Sequence, residues 1–186
     1  MQHWDSTTFL IAAVALAAAF FIWKRWFWQG GGTPQALDAR LSRLGESYQI
    51  LKDVSLTTPQ GIVSIDRLVV SPYGVFVISI SSLKGRLTGR PGDREWWAKQ
   101  GGQTVAVYNP LLENRKIVNQ IAPQLGVDPL IPLVVFLNAR LGSDFGVSAT
   151  PLSALPQFFL RYQRETLSPE QQEEIIRQVS QNPNVF

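Results

Sequence analysis

Cysteine is absent from this 186-residue chain, and histidine occurs once, at position 3. The first absence excludes disulfides and the usual structural zinc sites, which are built on thiolate ligands. The second excludes histidine-based catalysis and a histidine metal site anywhere in the body of the chain. Lack of cysteine also agrees with a reducing compartment, where disulfides do not persist. Charge of either sign is scarce. The net charge is +3, and the first 28 residues hold +1 of it through Lys24 and Arg25 against Asp5. So mild a basic balance does not by itself argue for a nucleic-acid partner. No internal repeat is visible, and the one low-complexity stretch is Gly30-Gly31-Gly32. No Gly-Lys-Ser/Thr follows it and no strand precedes it, so it reads as a flexible tether rather than a phosphate loop.

What is present begins with fifteen unbroken apolar residues, Phe9 to Trp23, followed at once by Lys24-Arg25 and Trp26-Phe27-Trp28. At about 1.5 Å per residue, Trp4 to Trp23 covers ~30 Å of helix, the hydrocarbon thickness of a bilayer. Trp4 at one end and Trp23, Trp26 and Trp28 at the other fall where amphipathic rings prefer to lie, at the headgroups, while Lys24 and Arg25 snorkel to water. The competing reading is a cleaved secretory signal, for which Ala17-Ala18-Ala19 offers small residues. A signal wants a basic leader, and residues 1 to 8 contain Asp5 and no Lys or Arg. The expectation is one transmembrane helix, with the N-terminus outside and the C-terminal side in the cytoplasm. The alanines at spacings of three and four would let partner transmembrane helices approach closely. The domain plan is an anchor with its aromatic segment at 1–28, a Gly-rich linker at 29–33 and one compact domain at 34–186.

Along that domain, Leu37, Leu41 and Leu44 follow Pro34 at helical spacing until Gly45. Strands are expected at Tyr48 to Leu56, Ile62 to Val70 and Val75 to Ser81, separated by turn-rich segments. Arg86 to Thr88 extends the meander, Gly89 to Arg94 is a loop, and Trp96-Trp97 with Thr104 to Tyr108 suggests further pairing. Asn109-Pro110 caps a helix whose apolar spacing continues to Gly126. Leu130 to Leu137 is apolar, β-branched and uncharged, as in a strand buried on both faces. Thr150-Pro151 is expected to start a helix near Leu152 to Tyr162, and another helix is expected after Ser168, where Gln171 occupies the capping-box position. The fold class is α/β (α+β), a mixed central sheet with flanking helices.

Three blocks carry a family resemblance. They are Ile65-Asp66-Arg67-Leu68-Val69-Val70-Ser71-Pro72-Tyr73-Gly74-Val75-Phe76-Val77-Ile78, then Lys84-Gly85-Arg86-Leu87-Thr88-Gly89, then Tyr108-Asn109-Pro110-Leu111-Leu112-Glu113-Asn114. In order and spacing the chain resembles the nuclease-related domain family, often called NERD, which implies a restriction-endonuclease-like fold. It also implies an active site of Asp, then Glu-x-Lys on the next strand, with a further acid on the first helix. Only Asp66 matches. Ser79 and Ser81 stand at the Glu and Lys positions, Pro34, Gln35 and Ala36 fall where the helix acid would be, and Arg67 stands where members often have His.

Phosphodiester hydrolysis of this kind needs carboxylates to hold a hard Mg²⁺ ion and a lysine to help activate water. Two serines supply neither, although they still share one strand face. The expectation is therefore a domain that has lost catalysis, with Asp66 a remnant, no metal and no cofactor, and with Glu46, Asp93, Glu95, Lys84 and Lys99 the candidates for a migrated site. Lys84, Arg86, Arg90, Arg94 and Lys99 surround Trp96 and Trp97, a composition that suits either a phosphate-binding, base-stacking edge or a solvated hairpin whose tryptophans plug the core. Lipid headgroups are a further ligand for the same cations. The function expected is an accessory or binding subunit of a membrane-associated assembly, its partners membrane lipid and other membrane protein subunits. The alternative is a tethered DNA-binding protein or Mg²⁺-dependent DNA nuclease.

Overall fold

A computed structural model describes residues 32–181. The expected anchor at 1–28, with Trp4, Trp23, Lys24, Arg25, Trp26 and Trp28, lies outside the described residues. Among those described, no helix is long and apolar enough to cross a membrane.

Helix α1 (Pro34–Leu41) starts where Thr33 accepts a hydrogen bond from the Ala36 N–H at 3.1 Å, and its last turn tightens into a 3₁₀ turn over Ser42–Leu44. Strands β1 (Gln49–Thr58), β2 (Gly61–Ser71) and β3 (Gly74–Thr88) form an antiparallel meander. At the β2–β3 turn, Ser71 Oγ donates to the Gly74 carbonyl. Gly74 has φ +131, a backbone angle that favours glycine, and a Cβ there would press on the Ile131 Cδ1 methyl at 2.9 Å. Strand β3 is one continuous strand, not a strand to Ser81 with a separate extension. Its first five residues pair with β2 and its last three with β4 (Glu95–Gln100). Strand β5 (Gln103–Tyr108) returns along β4 through Gly101-Gly102, both at positive φ, which is the two-residue hairpin turn that matches strand twist.

Helix α2 (Pro110–Leu125) is capped by Asn109, whose side chain accepts from the Leu111 N–H, and it ends at Gly126 in the left-handed region. It carries the chain over to β6 (Leu130–Leu141), which runs parallel to β3 and reaches four residues beyond the apolar run because its far end continues to pair with β3. Short β7 (Ala149–Pro151) pairs with β6, which completes a seven-stranded sheet among the described residues. The tail holds a correction. Thr150-Pro151 belongs to β7, and the long helix expected over Leu152 to Tyr162 is a 3₁₀ turn at Leu152–Ala154 followed by α3 (Leu155–Phe159). Pro156 has no N–H to return to a preceding turn, so the helix starts afresh there. Helix α4 (Pro169–Ser180) has the expected capping box at Ser168 and Gln171.

The helices cover both faces of the mixed sheet. On one face Leu68, Val70, Val75 and Val77 pack with Val118 and Ile121 of α2 and Ile175 of α4. On the other, Phe76, Ile78, Leu133 and Val135 pack with Leu37 and Leu41 of α1 and Phe158 and Phe159 of α3. A third cluster surrounds Trp96, whose ring lies 4.1 Å from that of Phe145.

Candidate functional site

The strand pairing that builds the sheet also opens a pocket in it. The β1–β2 ladder is continuous except between Lys52–Arg67 and Val54–Ile65, where Asp53 sits at φ +50 opposite Asp66. Aspartate tolerates this left-handed conformation better than most residues. Side-chain alternation breaks there, so Leu51 with Val54, and Ile65 with Leu68, join the same core cluster. Before Arg67, from Gly61 to Asp66, strand β2 has no register partner in β3. Asp66 stands at the point of divergence, exposed, and its Oδ2 accepts the backbone N–H of Ile80 at 2.6 Å.

Asp66, Ser79 and Ser81 line one pocket of about 250 Å³, together with Ser64 from β2 and Pro110, Glu113 and Ile117 from α2. The three positions matched by resemblance are thus brought together. Of the candidates for a migrated site, Glu46, Asp93, Glu95, Lys84 and Lys99, none lines this pocket. The carboxylate that does is Glu113, which the sequence reading passed over although it lies inside the Tyr108 to Asn114 block. Its neighbour Asn114 is buried and donates through Nδ2 to the Val77 carbonyl at 3.0 Å and to Ser79 Oγ at 2.8 Å. The hydroxyl of Ser79, where the resemblance implies Glu, is therefore held by an amide from the helix behind it.

The first helix also has an acid, one turn past the positions where it was sought. Asp38 accepts both Nε (2.7 Å) and Nη2 (3.3 Å) of Arg67 and pairs with Lys52 Nζ at 2.9 Å. Arg67, whose side chain is 7% exposed, also reaches Asp53 Oδ1 at 3.1 Å and donates to the Asp66 backbone carbonyl. Burial raises the Asp38 carboxyl, but its hydrogen bonds to Arg67 and Lys52 and their charges outweigh this and hold it below the ordinary carboxylate range. The bond to Asp38 outweighs burial and keeps Arg67 firmly protonated. Asp38 is consumed by these cations and is not among the pocket's lining residues.

Magnesium takes near-octahedral oxygen ligands, usually one or two carboxylates with waters and substrate phosphates. Here the lining acids are Asp66, with one oxygen on a backbone amide, and Glu113, beside three hydroxyls and no lysine. Among the described residues no group of three or more His, Asp and Glu is placed to hold a metal ion. This donor set does not fit the site that the resemblance implies.

The two tryptophans divide. Trp96 is fully buried and donates Nε1–H to the Arg90 carbonyl at 2.8 Å, whereas Trp97 is 53% exposed. Placing Trp96 in a base-stacking or headgroup-binding edge is thus corrected, because alternate residues of a strand take opposite faces. Arg86 and Lys99 are cross-strand neighbours on the face of Trp97, while Lys84, Arg90 and Arg94 are exposed elsewhere along β3 and its following loop.

The family model described as Nuclease-related domain matches residues 30–137, more than half of the chain. No curated protein matches it.

Proposed function

The chain belongs to the nuclease-related domain family, and from that premise we propose that it is a membrane-anchored member that binds rather than cuts, an accessory subunit of a membrane-associated assembly. The observation that carries this reading is the pocket itself: Asp66 is present, but the carboxylate and ammonium of the Glu-x-Lys pair are replaced by the hydroxyls of Ser79 and Ser81, the former tied to Asn114. Fold membership supplies no chemistry without the groups that perform it.

One observation favours the alternative of a Mg²⁺-dependent nuclease, namely Glu113 beside Asp66 in the same pocket. Plasmid nicking by the full-length protein in detergent separates the two. No Mg²⁺-dependent nicking is expected, and Asp66→Ala should leave membrane location and any co-purifying partners unchanged. Robust nicking abolished by Asp66→Ala and by Glu113→Gln would establish the nuclease. Ser79→Glu with Ser81→Lys is expected to bind Mg²⁺ detectably by calorimetry where the natural protein does not; equal binding in both would show that these two positions are not the ones lost.

Membrane attachment is supported by the apolar run from Phe9 to Trp23 and the basic pair that follows it. A reporter fused after Phe186 should be active only in its cytoplasmic form. Activity of an extracytoplasmic reporter, or a mature N-terminus beginning after Ala19, would overturn the orientation or the anchor.

A further inference from the structure

The open edges of the sheet are not alike. Natural sheets blunt such edges with charge, proline, bulges or brevity, since a free row of N–H and C=O groups invites another strand. Edge strand β1 carries Lys52 and Asp53, and its ladder is interrupted at the positive φ of Asp53. Strand β7 is three residues long and ends in Pro151. Strand β5, Gln103–Tyr108, has no charged residue and no proline, and pairs with β4 without a register shift. Five of its six residues are exposed, and its hairpin holds Trp97 (53%), Val105 (53%) and Tyr108 (54%), three of the six large apolar side chains exposed among the described residues.

The direction of its free hydrogen-bonding groups follows from the turn. Gly101-Gly102 makes Gln100–Gln103 the first bonded pair, and the bonded pairs then alternate through Ala98–Val105 and Trp96–Val107. The Asn109 N–H donating to the Arg94 carbonyl at 3.0 Å continues the same series. Thr104, Ala106 and Tyr108 therefore direct their N–H and C=O groups to the open edge.

We infer that β5 is the interface of a two-fold dimer, in which it pairs antiparallel with β5 of a second copy about an axis at Ala106. This axis is the one that employs all three outward-directed residues: Thr104 faces the partner's Tyr108, Ala106 faces the partner's Ala106, and Tyr108 faces the partner's Thr104. The self-complementary pattern is what an isologous interface requires, and main-chain bonds supply the attachment. Side chains and charges agree with it. Trp97 lies beside Ala106, so the paired alanines leave room for the two indoles to close over them. On the opposite face, exposed Val105 meets the partner's Val107. The cross-strand row that begins at Lys99 and passes through Thr104 ends at the partner's Glu95, so opposite charges terminate each row and no like charges meet. A second copy is preferred to a foreign strand because this register leaves neither the apolar nor the charged positions of the hairpin unmatched. Pairing of this edge is independent of whether the pocket cuts.

The absence of cysteine makes the test clean. Ala106→Cys in the full-length protein, kept in its membranes, places two thiols on Cα atoms about 5.5 Å apart, as in a bonded antiparallel pair, which is within disulfide range. Mild oxidation should yield a covalent dimer on a non-reducing gel, whereas Val147→Cys, exposed at 64% in the turn before β7, should remain monomeric. Adding Val105→Lys to Ala106→Cys should abolish the crosslink, and Val105→Lys alone should halve the light-scattering mass of the detergent-purified protein without shifting its melting temperature. Crosslinking of Ala106→Cys no greater than that of Val147→Cys, a single-copy mass for the natural protein, or a dimer that survives Val105→Lys would each overturn the proposal.

Discussion

Val135→Asp is expected to leave the protein without a cooperative melting transition. Val135 is fully buried in β6, between Ile80 of β3 and Thr150 of β7, in the cluster with Phe76, Leu152 and Phe158. A carboxylate there would have to ionise without a partner or bind a proton and still lack hydrogen bonds, and either course costs several kcal/mol. Whole-domain stabilities are about 5–15 kcal/mol, so one such group takes most of the margin. The measurement is circular dichroism through a thermal ramp on the purified full-length protein. A sharp transition within a few degrees of the natural protein would show that β6 is not central to the core.

The second large effect is expected at Asp38→Ala, at a charge pair rather than in an apolar core. Removing Asp38 leaves the guanidinium of Arg67, 7% exposed, with only the exposed carboxylate of Asp53 and a backbone carbonyl. Breaking a buried pair from one side costs about 3–5 kcal/mol, while replacing both partners with apolar residues of similar size is often neutral. Urea midpoints should therefore fall steeply for Asp38→Ala and recover for Asp38→Leu with Arg67→Met. A pH dependence follows as well. The folded-state pKa of Asp38 is lowered, so its stabilisation is complete above the unfolded value of about 4 and is lost as pH falls through the folded value. As pH falls below that unfolded value the natural protein should lose more stability than Asp38→Asn. Parallel pH profiles for the two would show that the carboxylate carries no such linkage.

The contrast between these two sites marks how far the chain could be read before it was folded. The burial of Val135 is written in the uncharged, β-branched run from Leu130 to Leu137, a signal that needs no knowledge of neighbours. The α2 cap at Asn109-Pro110, its stop at Gly126 and the capping box at Ser168 are equally local, because each depends on groups within four residues. The family resemblance was legible for another reason, since a motif is a spacing along the chain.

What required tertiary structure is everything that joins distant segments. Asp38 and Arg67 are 29 residues apart, and only the docking of α1 on the sheet brings them together. Trp96 and Trp97 have the same composition-based propensity, and it is the β4 register against β3 and β5 that buries one and exposes the other. Glu113 enters the pocket because α2 packs across the strands that hold Asp66 and Ser79, and Asn114 behind it fixes the Ser79 hydroxyl. The break in alternation at Asp53 and Asp66 has no sequence signature, since a left-handed aspartate in mid-strand is selected by its surroundings and not by its propensity. The sequence by itself thus determined most of the elements, their caps and the family, all of them short-range properties of the chain. Which side chains share a pocket, which charge is neutralised and which edge stays open were decided by the sheet, because strand register is a relation between segments that no single segment contains.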